Sequence, residues 1–155
     1  MTGLMEEARS PEEVAGVLAH EIQHVLKRHV VKRLVQESGW RTWFSVFIGG
    51  GDLSGVVLGA GSLMQLSYGR AQESEADREG AHLLREAGLS VRPLADFFER
   101  LSSREGADAK VPAFISTHPE SLGRAKELAK LAATPSSIPL RPLTLDWVAV
   151  QKTLK

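Results

Sequence analysis

"LAHEIQH", residues Leu18–His24, sets two histidines four residues apart with a glutamate directly after the first. On a helix, positions i and i+4 share one face about one turn apart, so two imidazoles there can converge on a single metal ion. Glu21 then points toward the same cleft without being forced into the coordination shell, where it can act on a water at the metal. The bland alternative is a pair of partly exposed helical histidines beside an ordinary surface glutamate. The surroundings of the motif have to decide between them.

Upstream, Ser10 can cap a helix, Pro11 suits its first position, and Glu13 completes a capping box. A helix is therefore expected from this point through "SPEEVAGVLAHEIQHVLKRHVVKRLVQESGW", with Gly39 as its stop signal. At roughly 100° per residue, Val14, Leu18, Ile22, Val25 and Leu26 form one apolar arc, the expected core stripe. His20 and His24 fall on a neighbouring face beside Val17 and Val31. His29 lies in the apolar arc and His82 on the outer part of a later helix; both are expected to be structural.

The chain has 155 residues, enough for one domain with a sizeable core. Its 19 acidic and 19 basic residues cancel, and no basic block stands out, so nucleic acid is not an expected partner. Without cysteine there is no disulfide, iron–sulfur cluster or thiolate site, and any metal must rest on His, Asp and Glu. Met1 is not followed by a signal-peptide pattern, so an export signal, if the protein has one, is expected upstream of this chain.

Residues 40–69, "WRTWFSVFIGGGDLSGVVLGAGSLMQLSYG", are apolar and glycine-rich, with Gly51, Gly55 and Gly59 at every fourth position. In a membrane helix that spacing admits a close partner. Arg41 and Asp52 interrupt the run, however, and the uncharged stretch Leu53 to Gly69 is short for a span, so one or two helices with glycine-rich connections are expected instead. "AQESEADREGAHLLREAG" reads as a helix closed by a left-handed Gly88. Glu73, Asp77, Gly80 and Leu84 share one side of it, and Ala76, Gly80 and Ala81 keep that side thin enough for a second helix to approach.

Pro93 opens an amphipathic helix whose Leu94, Phe97, Phe98 and Leu101 are core candidates. "SREGADAKVPAF" reads as a loop, and Thr117 with Glu120 as the capping box of the next helix. "PSSIPLRP" is a linker to a short terminal helix that Trp147 is expected to pin to the body, an oligomer contact being the alternative.

A catalytic zinc site needs a third protein ligand and an open position. The extended motif that supplies a third histidine requires glycine and histidine where this chain has Lys27 and Val30, which excludes that subclass. The remaining common solution draws a carboxylate from a separate helix. Glu73 and Asp77, again i and i+4, can divide the work: one binds metal while the other accepts a hydrogen bond from the far nitrogen of a ligand histidine.

"VLAHEIQHVLKRH", "YGRAQESEADREGAHLL" and "STHPESLGR", in this order, resemble the gluzincin metallopeptidases of the HtpX-like and CAAX prenyl protease type, including their Oma-like and BepA-like members. The resemblance runs from about Thr2 to Leu131. It implies a mainly α, zincin-like domain holding one Zn2+ per chain through His20, His24 and Glu73, with Glu21 as general base and Asp77 orienting a ligand ring. It also implies a protein or peptide substrate and a bacterial periplasmic or membrane-associated setting, any membrane association running through regions outside this chain.

In that family a His-Pro pair followed by an arginine, here His118, Pro119 and Arg124, recurs close to the zinc. His118 is therefore expected within reach of the metal, either donating to the developing oxyanion or occupying the open position and shutting the enzyme off. Family members usually carry a small sheet before the HExxH helix, whose edge strand holds the substrate backbone. Here only "MTGLMEEAR" precedes the helix, so the sheet is expected to be largely missing and the domain N-terminally truncated, which favours the second role for His118. Gly69 stands where the family often has serine, a minor departure.

The division expected is a metallopeptidase domain over residues 1–134 and a linker with a docked helix over residues 135–155. The function expected is a zinc-dependent metalloendopeptidase in which Glu21 takes a proton from the attacking water and passes it to the leaving amine. The alternative is a zinc-bearing, catalytically weak binding or chaperone-like module, membrane-associated through other regions.

Overall fold

The structure is a computed structural model and describes residues 2–33, 35, 68–103, 118 and 121–154. The expectations made for Gly39, for residues 40–67, for the loop after Ser103 and for the Thr117 and Glu120 box lie outside the described residues. Among those described, every regular element is a helix: α1 (Thr2–Glu7), α2 (Pro11–Leu26), α3 (Arg70–Glu86), α4 (Arg92–Ser102), α5 (Ser121–Ala133) and α6 (Trp147–Lys152). None of the described helices is long and apolar enough to cross a membrane.

Helix α2 starts where the capping signal predicts, with Ser10 Oγ accepting from the Glu13 backbone N–H at 3.3 Å. The Glu13 carboxylate does not close a box on Ser10. It accepts from the Arg9 N–H at 2.8 Å and receives both terminal nitrogens of Arg100 on α4, at 2.7 and 2.6 Å. A two-pronged guanidinium–carboxylate contact of this kind is among the stronger polar interactions, so the capping glutamate also ties α2 to α4.

The long continuous helix expected as far as Gly39 is interrupted well before it. Lys27 caps α2, and Arg28 follows with φ 53°, a left-handed conformation that costs a non-glycine residue on the order of 1 kcal/mol. Helical turns resume at residues 29–33.

Helices α2 and α3 meet almost backbone to backbone. A Cβ added at Gly80 would lie 3.2 Å from the His20 nitrogen and 3.3 Å from the Ala19 carbonyl carbon, so the thin side read from Ala76, Gly80 and Ala81 is the contact side. Helix α4 buries Leu94, Phe97, Phe98 and Leu101, as its pattern predicts. Leu94 fits under α2 because residue 16 is glycine; a Cβ there would sit 2.8 Å from the Leu94 Cβ. Ala125 and Leu128 of α5 join Val17, Ala81 and Leu84 to complete the core. Burial of each large core side chain is worth about 1.5–3 kcal/mol. At the end of α3, Gly88 takes φ 72° while the Leu89 N–H returns to the Leu84 carbonyl at 2.8 Å, the left-handed stop its sequence suggests.

The orientation of α2 corrects the expected core stripe. Leu18, Ile22, Val25 and Leu26 are exposed, whereas His20 and His24 are buried. The inward face carries Gly16, Val17, Ala19, His20, Gln23 and His24. Two causes favour it: Gly16 and Gly80 allow the closest approach on that side, and the acidic face of α3 supplies partners for the buried imidazole nitrogens.

The terminal segment lies across the start of the chain. The Arg141 N–H donates to the Gly88 carbonyl at 2.7 Å and the Leu143 N–H to Glu12 Oε1 at 2.8 Å. Trp147 Nε1 donates to the Ala8 carbonyl at 3.1 Å, the contact to the body foreseen for that residue. Gln151 Nε2 shares the same acceptor at 3.0 Å.

Candidate metal centre

Two turns of α2 and the first two turns of α3 face each other across the Gly80 contact, and this juxtaposition brings His20, His24, Glu73 and Asp77 together. The Nε2 atoms of His20 and His24 lie 2.9 Å apart. Glu73 Oε2 is 3.5 Å from His20 Nε2 and Glu73 Oε1 is 3.5 Å from His24 Nε2. His20 Nδ1 lies 2.9 Å from Asp77 Oδ1, so that nitrogen donates and Nε2 keeps its lone pair. The i, i+4 spacing left open which carboxylate would do which task and the resemblance implied Glu73 for the metal; the contacts set Glu73 against the inward nitrogens and Asp77 against the outward one.

His118, on the segment leading into α5, completes the cluster. Its Nδ1 is 3.0 Å from Glu73 Oε1 and 3.3 Å from His20 Nε2, and its Nε2 is 3.1 Å from Glu21 Oε1. His20, His24, Glu73 and His118, all buried, each offer a ligand atom within 4.8 Å of the others. The donor set fits a cation: two inward Nε2 atoms and a carboxylate converge, and a metal ion relieves the repulsion among their lone pairs.

The electrostatics agree. Burial, reinforced by the neighbouring His20, pushes the His24 imidazole down to about 3, so at neutral pH it carries a free lone pair. Burial works against ionising Glu73, yet the hydrogen bond from His118 together with the Arg124 and His118 charges holds its carboxyl well below the usual range. Burial likewise opposes the Glu21 charge, and the hydrogen bond from His118 together with the charge of the neighbouring imidazoles outweighs it, leaving Glu21 below its ordinary value. His118 is shifted up: burial disfavours its cation, but the carboxylates of Glu21 and Glu73 on its two nitrogens prevail.

Three further residues belong to the site; the resemblance had pointed to Arg124, whereas Tyr68 and His29 were not singled out for it from sequence. Arg124, on α5 and 8 % exposed, clamps Asp77 through Nε at 2.7 Å and Nη2 at 2.8 Å, contacts Glu73 Oε2 through Nη1, and rests over the Phe98 ring at 4.3 Å. The resemblance pointed to an arginine near the metal without assigning its partners. The Tyr68 ring stacks on His24 with centroids 3.9 Å apart, and burial together with Glu21 and Glu73 raises its phenol. His29, expected in an apolar setting, is fully buried with Nδ1 2.9 Å from His24 Nδ1 and Nε2 3.2 Å from Glu75 Oε2. His82 is exposed beside Glu86, in keeping with a structural role.

The sequence pattern of peptidase family M48 matches residues 1–132. The chain belongs to that family. It is 31% identical over 120 residues to the beta-barrel assembly-enhancing protease of Yersinia pestis, a match covering 69% of this chain and 24% of that protein. The mitochondrial metalloendopeptidase OMA1 of Arabidopsis thaliana is 32% identical over 136 residues, covering 83% of this chain and 26% of that protein. The metalloprotease LoiP of Escherichia coli is 32% identical over 139 residues, covering 82% of this chain and 52% of that protein. The M48 chain thus spans about a quarter of the length of the first two relatives and about half of the third.

Proposed function

We propose that this chain is a zinc-dependent metalloendopeptidase, one Zn2+ per chain being held by His20, His24 and Glu73, and that residues 1–134 form the peptidase unit with residues 135–155 docked across it. The observation that carries the reading is the 2.9 Å approach of two buried Nε2 atoms with Glu73 alongside both. When bound, the ion supplies a Lewis acid that acidifies water and polarises a carbonyl. Glu21, one residue from a ligand and partly exposed, receives the proton of the attacking water and returns it to the leaving amine. Asp77 keeps the His20 ring turned inward, and Arg124 offers one positive charge shared between the two buried carboxylates, favouring their ionised forms.

The substrate is a protein or peptide, consistent with relatives named as proteases. A periplasmic or membrane-associated setting, which the family resemblance implies, is part of the proposal. For His118 the contacts favour restraint: one ring nitrogen faces Glu73 and His20 while the other engages the base Glu21 at 3.1 Å. The same contact supports the second reading, a zinc-bearing module with weak catalysis.

Metal analysis and peptide turnover test both. Wild type should retain one zinc per chain and cleave unfolded protein, and Glu21→Gln should keep the zinc and lose turnover. Zinc retained without turnover in wild type selects the weak module. Stoichiometric zinc in a His20→Ala, His24→Ala double variant would remove the site.

A further inference from the structure

We propose that His29 and Glu75 form a polar relay that fixes the ring orientation of His24, making His29 a positioning residue of the metal centre. The inference rests on the zinc reading above. His24 turns Nε2 toward His20 and Glu73, so its Nδ1 is the outward atom, and that atom lies 2.9 Å from His29 Nδ1. With Nε2 reserved for metal, the His24 proton resides on Nδ1 and donates to His29 Nδ1. His29 must then carry its own proton on Nε2, which faces Glu75 Oε2 at 3.2 Å and donates to it. Each bond has one donor and one acceptor, and the direction runs from His24 to Glu75 throughout.

His20 meets the same need in one step, with Nδ1 on Asp77 at 2.9 Å. Histidine ligands generally require an acceptor on their outward nitrogen, but Asp77 is already committed to His20 and Arg124. His24, a turn further along α2, reaches a different carboxylate of α3 through an intervening ring. Two features suit His29 to this task. It has no exposed surface, so water does not compete for Nδ1. It also follows the left-handed Arg28 that interrupts the helix. In an unbroken helix residues five apart are separated by about 140° around the axis, which would turn His29 away from His24; the break brings it back. At the far end, Glu75 lies 3.6 Å from Lys27, whose positive charge favours the ionised acceptor.

The test exploits the polarity of the relay at its exposed end. Zinc affinity is measured by competition with a chromophoric chelator, and Co2+ is substituted to read ligand geometry from its visible absorption. The 155-residue chain is used with its Glu75→Gln, Glu75→Lys, His29→Asn and His29→Leu variants. Glu75→Gln keeps an acceptor and should bind zinc within a few-fold of wild type. Glu75→Lys places a donor where an acceptor is needed and should weaken zinc binding by about ten- to a hundredfold, with an altered cobalt spectrum.

The side chain of Glu75 is 33% exposed, so the metal-free thermal midpoint should move little in either Glu75 variant. His29→Asn, whose amide oxygen can replace Nδ1 as acceptor, should retain more affinity than His29→Leu. If His29→Leu fails to fold, the Glu75 pair decides. Wild-type affinity and an unchanged cobalt spectrum in Glu75→Lys overturn the relay alone. A wild-type chain that takes up no zinc overturns the metal reading and the relay with it.

Discussion

Replacing Arg124 by methionine removes the guanidinium that faces Glu73 and Asp77 while leaving a flexible apolar chain to cover Phe98. Glu73 is 2 % and Asp77 4 % exposed, so neither carboxylate recovers its hydration when the cation is lost. Removing one partner of a buried ion pair costs about 3–5 kcal/mol. For a chain of this size each kcal/mol moves the melting temperature by about 2–4 °C, so the metal-free variant should melt about 6–20 °C below wild type. Zinc should narrow the gap, because it gives Glu73 a new counter-charge, but should not close it, because Asp77 gains none.

The pH dependence carries a defined sign. Asp77 and Glu73 have folded pKa values below their ordinary ones, burial being outweighed by the hydrogen bonds from Arg124 and His20 with the Arg124 charge at Asp77, and by the His118 hydrogen bond with the Arg124 and His118 charges at Glu73. Such groups contribute stability that is fully present above the unfolded pKa of about 4 and is lost as pH falls through the folded value. Without Arg124, Asp77 loses its main hydrogen-bond donor and most of that contribution. The difference between wild type and Arg124→Met, measured by urea unfolding in the presence of chelator, should therefore be largest near neutral pH and shrink below about pH 4. A metal-free difference under 1 °C at neutral pH, or one that grows on acidification, would refute the clamp.

Asp77→Asn should weaken zinc binding or turnover by about ten- to a hundredfold through loss of His20 ring orientation; calorimetric affinity and peptide kinetics report it, and wild-type values would dissociate Asp77 from the site. Gly80→Val should cost about 1–3 kcal/mol by urea unfolding and lower zinc affinity as well, since the added side chain meets the backbone of His20 itself; a neutral effect on both would contradict the close helix contact. His118→Ala should raise peptide turnover by freeing Glu21 and the open position, whereas a fall in turnover would assign His118 to oxyanion stabilisation.

Much of this protein is legible in sequence wherever a feature depends on one helix alone. The rise and rotation of an α-helix place His20 with His24, and Glu73 with Asp77, on shared faces whatever they meet. Ser10 as cap, Gly88 as left-handed stop, the thin side of α3 and the apolar side of α4 are local in the same sense, and all appear as read. What the tertiary structure decided is which face of α2 turns inward. Hydrophobic periodicity favoured Leu18, Ile22 and Val25, yet close approach at Gly16 and Gly80 and the acidic partners on α3 buried the histidines instead. The Arg124 clamp, the Tyr68 stack and the His24, His29 and Glu75 chain were likewise beyond local reading. Each joins residues far apart in sequence or across a helix break, so its geometry depends on helix crossing and on a single left-handed residue, Arg28, which no periodic pattern announces.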